Sequence, residues 1–202
     1  MTPLPSTIFW LLLGITAAQR LHELRRSGLN QARLREVGFA RVDSGPSYPL
    51  MVAVHASWFV AMIVEALTSP KTVPAPLQYL TMCVFLGAQA LRYWAIISLG
   101  EQWNTQVMSP KHSEADQGVV SIGPYRFIRH PNYLAVILEF ISLPLLGGAL
   151  ITTLIWSAFN GAVLIYRIKL EEAHLIKRPG YEQSVGRLPR LIPSILPRTK
   201  AK

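Results

Sequence analysis

The stretch best suited to chemistry is residues 123–133, where basic and aromatic side chains directly precede a long apolar run. Pro131 suits the first position of a helix, because its missing N–H would have no partner there. A helix that begins near Asn132 would place its free N–H groups and partial positive charge beside Arg129 and His130. Such a place suits a carboxylate or a phosphate. The alternative is a membrane-interface anchor, since basic and aromatic residues also lie at headgroup level.

A second candidate pair follows the last apolar run. Arg167 and Glu171 are four residues apart and therefore share one face of a helix. A solvated surface ion pair of little energetic value is the alternative interpretation. Further along, Tyr181 and the basic, proline-stiffened residues 187–193 form a segment that is able to fold back over the membrane mouth.

Four ionisable residues lie inside predicted membrane segments: His55, Glu65, Arg92 and Glu139. Charged groups there cost a few kcal/mol each and usually face protein or water. Glu65 and Arg92 lie near enough to helix ends to reach the interface, and His55 fits a hydrogen-bonded core histidine. Glu139 follows residues 123–133 by about two helical turns. We therefore expect Glu139 to point into the same cavity and to serve function.

Composition narrows the class of protein. Half of the 202 residues are hydrophobic and the net charge is +9, with basic residues beside the apolar runs. This pattern indicates a membrane protein that meets anionic lipid headgroups rather than nucleic acid. Cys83 is the single cysteine, which excludes an internal disulfide framework and a cysteine-based metal centre. Neither an HExxH metal motif nor a glycine-rich nucleotide loop is present, so we expect no metal site.

Apolar runs predict an all-α integral membrane protein with about five transmembrane helices, of which the first three cover residues 7–19, 49–67 and 78–99. Residues 132–166 form the last two, a tight hairpin with Gly147 and Gly148 at its tip. We expect one membrane domain, with N-terminal helices and loops in residues 1–120 and the site-bearing region in residues 121–202.

Charge predicts the orientation of these helices. The segment that follows the first apolar run is rich in arginine, and residues 167–202 hold nine of the twenty basic residues. Positive charge accumulates on the cytoplasmic side, so we expect the C-terminus to be cytoplasmic. A C-terminal helix and tail on that side would close a cofactor pocket. The expected location is a multi-pass position in a bacterial plasma membrane.

Three motifs in order, in residues 123–133, 167–172 and 181–193, resemble the isoprenylcysteine carboxyl methyltransferase family of integral-membrane enzymes. The resemblance is strong over the second half of the chain and limited to hydropathy over the first. It implies methyl transfer dependent on S-adenosylmethionine at the cytoplasmic face, with a lipid entering between helices. Ala135 departs from the family, because many members have glycine there, which concerns helix packing rather than chemistry.

The resemblance also implies roles for individual residues. The cofactor pocket would be formed by His130, Pro131, Tyr133, Glu172, Tyr181, Arg187 and Pro189. Arg167 and Glu171 match the catalytic pair of the family, and Glu139, Arg129 and Tyr125 are candidates near the substrate.

The two catalytic candidates suit either of two acceptors. A carboxylate is already ionised, and the Arg167 fork would orient it. A phenol, with a pKa of about 10, needs a base, for which Glu171 is the candidate. Residues 91–100 and 103–105 resemble the bacterial branch found beside type III polyketide synthases, whose members O-methylate alkylpyrones or alkylresorcinols. We therefore expect a phenolic or pyrone lipid.

Three alternatives stay open. The first is methylation of a prenylcysteine carboxylate within the same chemistry. The second is an NADPH-dependent lipid reductase, since membrane sterol reductases share the Arg-His-Pro-x-Tyr pattern. The third is a non-catalytic membrane scaffold.

Overall fold

The computed structural model describes residues 3–112, 116 and 118–193, which form five α-helices and one two-stranded ribbon. The helices are α1 (Ser6–Glu36), α2 (Ser47–Thr68), α3 (Ala75–Leu99), α4 (Pro131–Leu146) and α5 (Leu150–Leu175). The strands are β1 (Phe39–Arg41) and β2 (Met108–Pro110). The fold is therefore mostly helical, as the apolar runs predict.

Helix α1 extends well beyond the apolar run of residues 7–19 and has 31 residues. Our expectation that it ends near Gln19 is wrong, because the following residues are mostly good helix formers and include no proline. Its buried polar residues recur every three or four positions: Thr16, Gln19, Glu23, Ser27 and Asn30. This spacing gives α1 a polar stripe that faces the protein interior.

Within the part of the chain that the structure describes, three helices are long and apolar enough to cross a membrane: α2, α3 with the turn that follows it, and α5. Helix α4 is also apolar but has only 16 residues. It lies mainly against α3 and α5, with Phe140 stacked on Trp58 of α2 at a ring-centroid distance of 4.3 Å. Helix α4 therefore lies in the centre of the fold, between α3 and α5.

The connection between α4 and α5 is short because it contains two glycines, Gly147 and Gly148, at which neighbouring atoms leave no room for a Cβ. Gly148 has φ +74°, and its carbonyl accepts a hydrogen bond from the Lys71 amide at 3.1 Å. At the same end of the fold, the Glu65 carboxylate accepts hydrogen bonds from the amides of Ile151 and Thr152 at 2.9 and 2.7 Å. Glu65 thus caps the amino end of α5. This structural role explains the charged residue without placing its side chain at the membrane interface.

Beyond α5, residues 176–187 form successive turns. The separate C-terminal helix that we expect is absent from the described part of the tail, because α5 itself continues to Leu175. The turns bury Tyr181, Val185 and Leu188 in a small apolar cluster. Pro189 accepts a hydrogen bond from the Arg129 amide at 2.9 Å, so the tail is tied to the start of α4.

The ribbon connects distant loops on this side of the fold. Strand β1 pairs with β2 in antiparallel register, with Ala40 opposite Ser109. This pairing holds the loop of residues 102–109 beside the ends of α1 and α5. The loop thereby lines a cavity on this side of the fold.

Candidate active site

A cavity of about 480 Å³ extends from the apolar helices to the C-terminal tail, and all five helices contribute to its wall. Its volume lies within the usual range for small-molecule sites, roughly 300–1,000 Å³. Seven of the predicted site residues line it: Tyr125, Arg129, His130, Tyr133, Arg167, Glu171 and Tyr181. Five others lie outside its wall: Pro131, Glu139, Glu172, Arg187 and Pro189. The structure thus brings together residues from both of the sequence motifs that suggest chemistry.

The Glu172 carboxylate receives three basic side chains. Arg129 Nη1 lies 3.0 Å and His130 Nε2 3.1 Å from its Oε1, and Arg190 Nη2 lies 2.7 Å from Oε2. The pairing with Glu172 raises the pKa of Arg190. Our sequence interpretation places an anion beside Arg129 and His130, and the structure shows that a carboxylate of the chain itself lies there. Glu172 therefore joins the end of α5 to the start of α4 and to the tail.

The neighbouring carboxylate, Glu171, is held by a different residue. The Tyr133 hydroxyl donates a hydrogen bond to Glu171 Oε2 at 2.7 Å. Tyr133 follows His130 by three residues on the first turn of α4, and the two rings stack at 5.4 Å. Because Glu171 also lines the cavity, Tyr133 orients a carboxylate that a ligand can reach. This orienting contact joins residues 38 positions apart, and the sequence analysis missed it.

Arg167 is 3% exposed and has unused hydrogen-bonding capacity. Its Nη2 donates to the Thr105 carbonyl at 2.8 Å, whereas Nε and Nη1 have no hydrogen-bond partner in the described structure. No ion pair between Arg167 and Glu171 occurs among the described residues, so the surface-bridge interpretation does not apply. A buried donor without a partner costs about 1–3 kcal/mol. An arginine in this state on a cavity wall is ready to receive an acceptor atom from a ligand.

Other polar atoms on the same wall are also unpaired. Within the described residues, Trp103 Nε1, Asn104 Oδ1, Gln106 Oε1 and Asn132 Oδ1 are buried without hydrogen-bond partners. Buried polar groups in folded proteins are normally paired, so such a set around one cavity calls for a polar ligand. The loop that supplies three of these atoms includes residues 103–105, which a family resemblance marked in the sequence. Nothing in the sequence indicated that their polar atoms lie in a cavity wall.

A four-charge cluster lies at the other end of the cavity, formed by Arg20 and Glu23 of α1, Arg92 of α3 and Glu139 of α4. Arg92 contacts Glu23 through Nε at 2.8 Å and Nη2 at 2.5 Å. Arg20 lies 2.6 Å from Glu23 and is also paired with Glu139. The cluster contains two positive and two negative groups and is therefore neutral, which reduces the cost of burying it.

The cluster corrects two expectations. Glu139 does not line the cavity but is fully buried, where it also accepts a hydrogen bond from Gln89 at 2.7 Å. Arg92 does not reach the interface and is 5% exposed, since Glu23 neutralises it inside the protein. The polar stripe of α1 was the available sequence signal for this arrangement.

Tyr125 lies between the two ends of the cavity. Burial raises the pKa of its hydroxyl well above the usual value, Glu171 and Tyr133 raise it further, and Arg92 acts in the opposite direction. The hydroxyl of Tyr125 therefore stays protonated near neutral pH. Tyr125, Glu171 and Arg92 all line the cavity.

Comparisons with known proteins agree with this picture. The profile of the isoprenylcysteine carboxyl methyltransferase family matches residues 79–177. The chain is 36% identical over 169 residues to the uncharacterised protein YpbQ of Bacillus subtilis, covering 83% of this chain and 96% of that protein. It is 31% identical over 109 residues to the protein-S-isoprenylcysteine O-methyltransferase of Schizosaccharomyces pombe, covering 53% of this chain and 45% of that enzyme.

Proposed function

This chain belongs to the isoprenylcysteine carboxyl methyltransferase family, and on that premise we propose that it methylates an oxygen of a lipid with S-adenosylmethionine. The observation that carries the proposal is the continuous cavity, in which Arg167 and Glu171 share one wall with side chains of the membrane helices. Such a cavity lets a lipid tail lie among apolar helices while its polar end meets charged groups. A membrane methyltransferase needs this combination.

The residues present fit the methyl donor. S-adenosylmethionine carries a carboxylate, an ammonium group, hydroxyl groups and an adenine ring, and the wall offers both unpaired donors and unpaired acceptors. His130, Tyr133 and Tyr181 supply aromatic surface and hydrogen-bonding groups in the wall. Glu172, outside the wall, lies 3.1 Å from His130 Nε2, and Pro189 accepts a hydrogen bond from the Arg129 amide. Pro131 and Arg187 also lie outside the wall. Bound S-adenosylmethionine would supply a methyl carbon on a positively charged sulfur.

Glu171 and Arg167 would prepare the acceptor. For a phenolic acceptor, the Glu171 carboxylate would take the hydroxyl proton, and bound S-adenosylmethionine would supply the methyl group to the oxygen. The free Nε and Nη1 groups of Arg167 orient the oxygen and stabilise its negative charge. Tyr133 keeps Glu171 in position through the 2.7 Å hydrogen bond. Arg167 is buried, and this position strengthens its interaction with the acceptor oxygen.

We favour a phenolic or pyrone lipid as the acceptor, because the Glu171 carboxylate on the cavity wall suits a group that must lose a proton. A prenylcysteine carboxylate is the second candidate, favoured by the similarity to the S. pombe enzyme. Its negative charge would be attracted to Arg167 but repelled by Glu171. Methyl transfer to pentadecylresorcinol compared with N-acetyl-S-farnesylcysteine separates the two acceptors.

We also infer that α1, α2, α3, α4 and α5 are all embedded in the membrane, with the cavity mouth and the C-terminus on the cytoplasmic side of a bacterial plasma membrane. The apolar character of α4 and the basic tail support this arrangement. Single cysteines introduced at Ser184 and Ser69 in a Cys83→Ser background test it. Labelling of Ser184→Cys only after the membrane is permeabilised, with Ser69→Cys labelled before, is the expected result.

The first test of the proposed function is thermal stability of the detergent-purified full chain with S-adenosylhomocysteine, with NADPH and with neither. A ligand that binds the folded state raises the melting temperature. We expect a shift with S-adenosylhomocysteine alone. A shift only with NADPH would replace this proposal by a lipid reductase, and no shift with either would favour a scaffold.

The second test measures turnover of variants. Arg167→Lys and Glu171→Gln should each lower turnover by about 100-fold or more. Tyr133→Phe should lower it by about tenfold or more, since a hydrogen bond to a charged group is worth about 1.5–3 kcal/mol. Lys169→Gln, on an exposed face of α5, is the matched control and should leave turnover unchanged. Full activity in Arg167→Lys and Glu171→Gln would remove the assigned roles.

A further inference from the structure

Residues 103–106 belong to no helix or strand, yet all four line the cavity. The Thr105 carbonyl accepts a hydrogen bond from Arg167 Nη2 at 2.8 Å. The two other nitrogens of this guanidinium have no hydrogen-bond partner among the described residues. The direction in which Arg167 presents its free N–H groups therefore depends on where the Thr105 carbonyl lies. Because an irregular segment has no ladder of backbone hydrogen bonds, its other contacts decide that position.

Ser27 of α1 holds Thr105 at two atoms. The Thr105 amide donates to Ser27 Oγ at 3.0 Å, and Gln31 Nε2 donates to the same oxygen at 3.0 Å. Since both lone pairs of this hydroxyl are then occupied, its hydrogen goes to Thr105 Oγ1, 2.9 Å away. Ser27 is buried, so bulk water does not compete for these groups. With its amide and its side chain both held, Thr105 presents its carbonyl to Arg167 of α5.

Asn30, three residues further along α1, holds the start of the same loop. Its Nδ2 donates to the Trp103 carbonyl at 2.7 Å and to the Gly100 carbonyl at 3.2 Å. Asn30 is buried and belongs, like Ser27, to the polar stripe of α1. The stripe thus supplies side chains that hold the loop at both of its ends.

We propose that Ser27 and Asn30 are positioning residues for methyl transfer, because they hold the loop whose Thr105 carbonyl fixes Arg167 beside the acceptor oxygen. Neither residue lines the cavity, so neither contacts the lipid or the methyl donor directly. This inference rests on the proposed function. It extends the machinery of the reaction to α1, two contacts away from the guanidinium.

The test begins with the rates of two variants of the detergent-purified full chain. Ser27→Ala leaves the Thr105 amide without its acceptor, and Asn30→Leu removes both donors to the loop at similar side-chain size. Methyl transfer from tritiated S-adenosylmethionine is measured with pentadecylresorcinol or N-acetyl-S-farnesylcysteine, whichever the wild-type protein methylates faster. We expect each variant to lower kcat by about tenfold, the equivalent of one or two lost hydrogen bonds. The KM for S-adenosylmethionine should change by less than about threefold, because Arg167 acts on the acceptor.

A double-mutant cycle shows whether the effect passes through Arg167. In an Arg167→Lys background, Ser27→Ala should lower kcat by about twofold or less, because the guanidinium that Thr105 positions is already absent. A merely structural role of Ser27 would lower kcat by the same factor in both backgrounds. If Arg167→Lys has no measurable turnover, the same cycle in melting temperature decides, with an expected coupling of at least about 1 °C.

Ser142→Ala is the matched control. This serine is also fully buried, but its hydroxyl donates to the Leu138 carbonyl of its own helix at 2.6 Å, and it does not line the cavity. The control should leave kcat unchanged, which separates the loss of any buried hydroxyl from the loss of the loop contact.

An unchanged kcat in Ser27→Ala and Asn30→Leu would overturn the positioning role and leave the proposed methyl transfer intact. Equal effects of Ser27→Ala in the two backgrounds would do the same. A wild-type protein that methylates neither probe and whose melting temperature does not shift with S-adenosylhomocysteine would refute the proposed function, and the positioning role with it.

Discussion

Replacing Arg20 by Met tests whether ion pairs, rather than water, satisfy the buried Glu139. The Glu139 side chain is fully buried, and its Oε2 is paired with Arg20 while Gln89 donates to its Oε1 at 2.7 Å. Arg92 is the next cation, with Nη1 at 3.9 Å from Oε2. Without Arg20, one oxygen of a buried carboxylate loses its direct partner, and the cluster acquires a net negative charge.

The expected loss is large. Removing one partner of a buried ion pair costs about 3–5 kcal/mol, because the other charge is left uncompensated. For a chain of this size, 1 kcal/mol corresponds to about 2–4 °C in melting temperature. Arg20→Met should therefore lower the melting temperature by roughly 6–20 °C.

Thermal unfolding of the detergent-purified protein, followed by tryptophan fluorescence, provides the measurement. The double variant Arg20→Met/Glu139→Met carries no unpaired charge and should recover most of the loss, a coupling of at least about 2 kcal/mol. Arg25→Met, at an exposed position of the same helix, should change stability by less than about 0.5 kcal/mol. A loss below about 1 kcal/mol for Arg20→Met, or no recovery in the double variant, would refute the reasoning.

Two further predictions concern the loops. Gly148→Ala should lower the melting temperature by roughly 4 °C or more, because φ at Gly148 is +74° and a Cβ there would clash with the Lys71 carbonyl oxygen. Gly161→Ala in α5 is the control: its Cβ would meet no other atom, so the melting temperature should not fall. Equal effects of the two substitutions would contradict this account. Burial favours the protonated form of Asp116, but hydrogen bonds from Arg178 at 2.6 and 3.0 Å lower its pKa overall. The stability that ionised Asp116 contributes is present above the unfolded pKa of about 3.9 and is lost as pH falls through the folded pKa. Thermal melts should therefore show Asp116→Asn less stable than wild type at pH 7 and equally stable below about pH 4. A stability difference that does not depend on pH would argue against this role of Asp116.

Local rules made several elements predictable. Pro131 begins α4 as expected, because a proline without an N–H is tolerated at that position whatever surrounds it. The glycines at 147 and 148 separate α4 from α5, since backbone conformation there depends on the residue itself. The end of α1 was not predictable in the same way. Charged residues stop an apolar run without stopping a helix. Helix α1 continues because the residues after Gln19 are mostly good helix formers and because its polar stripe is buried against other helices.

In the candidate site, too, some features can be predicted from local sequence and others cannot. Arg167 and Glu171 could be named from their spacing and from a family resemblance, and they line one cavity. The contacts that prepare them, Tyr133 to Glu171 and Thr105 to Arg167, join segments far apart in the chain. No local sequence pattern predicts such long-range contacts. They arise when the first turn of α4 and the loop before β2 are brought against α5.

The sequence alone determined the helical class and the start of α4, since composition and proline geometry act over a few residues. A family resemblance named Arg167 and Glu171 as candidate catalytic residues. Tertiary structure alone decided how the buried charges are paired. Arg20 meets Glu139 across 119 positions and Arg92 meets Glu23 across 69. An ion pair forms between side chains that helix packing makes neighbours. Which helices become neighbours depends on the apolar surfaces of the whole chain, not on the charges themselves.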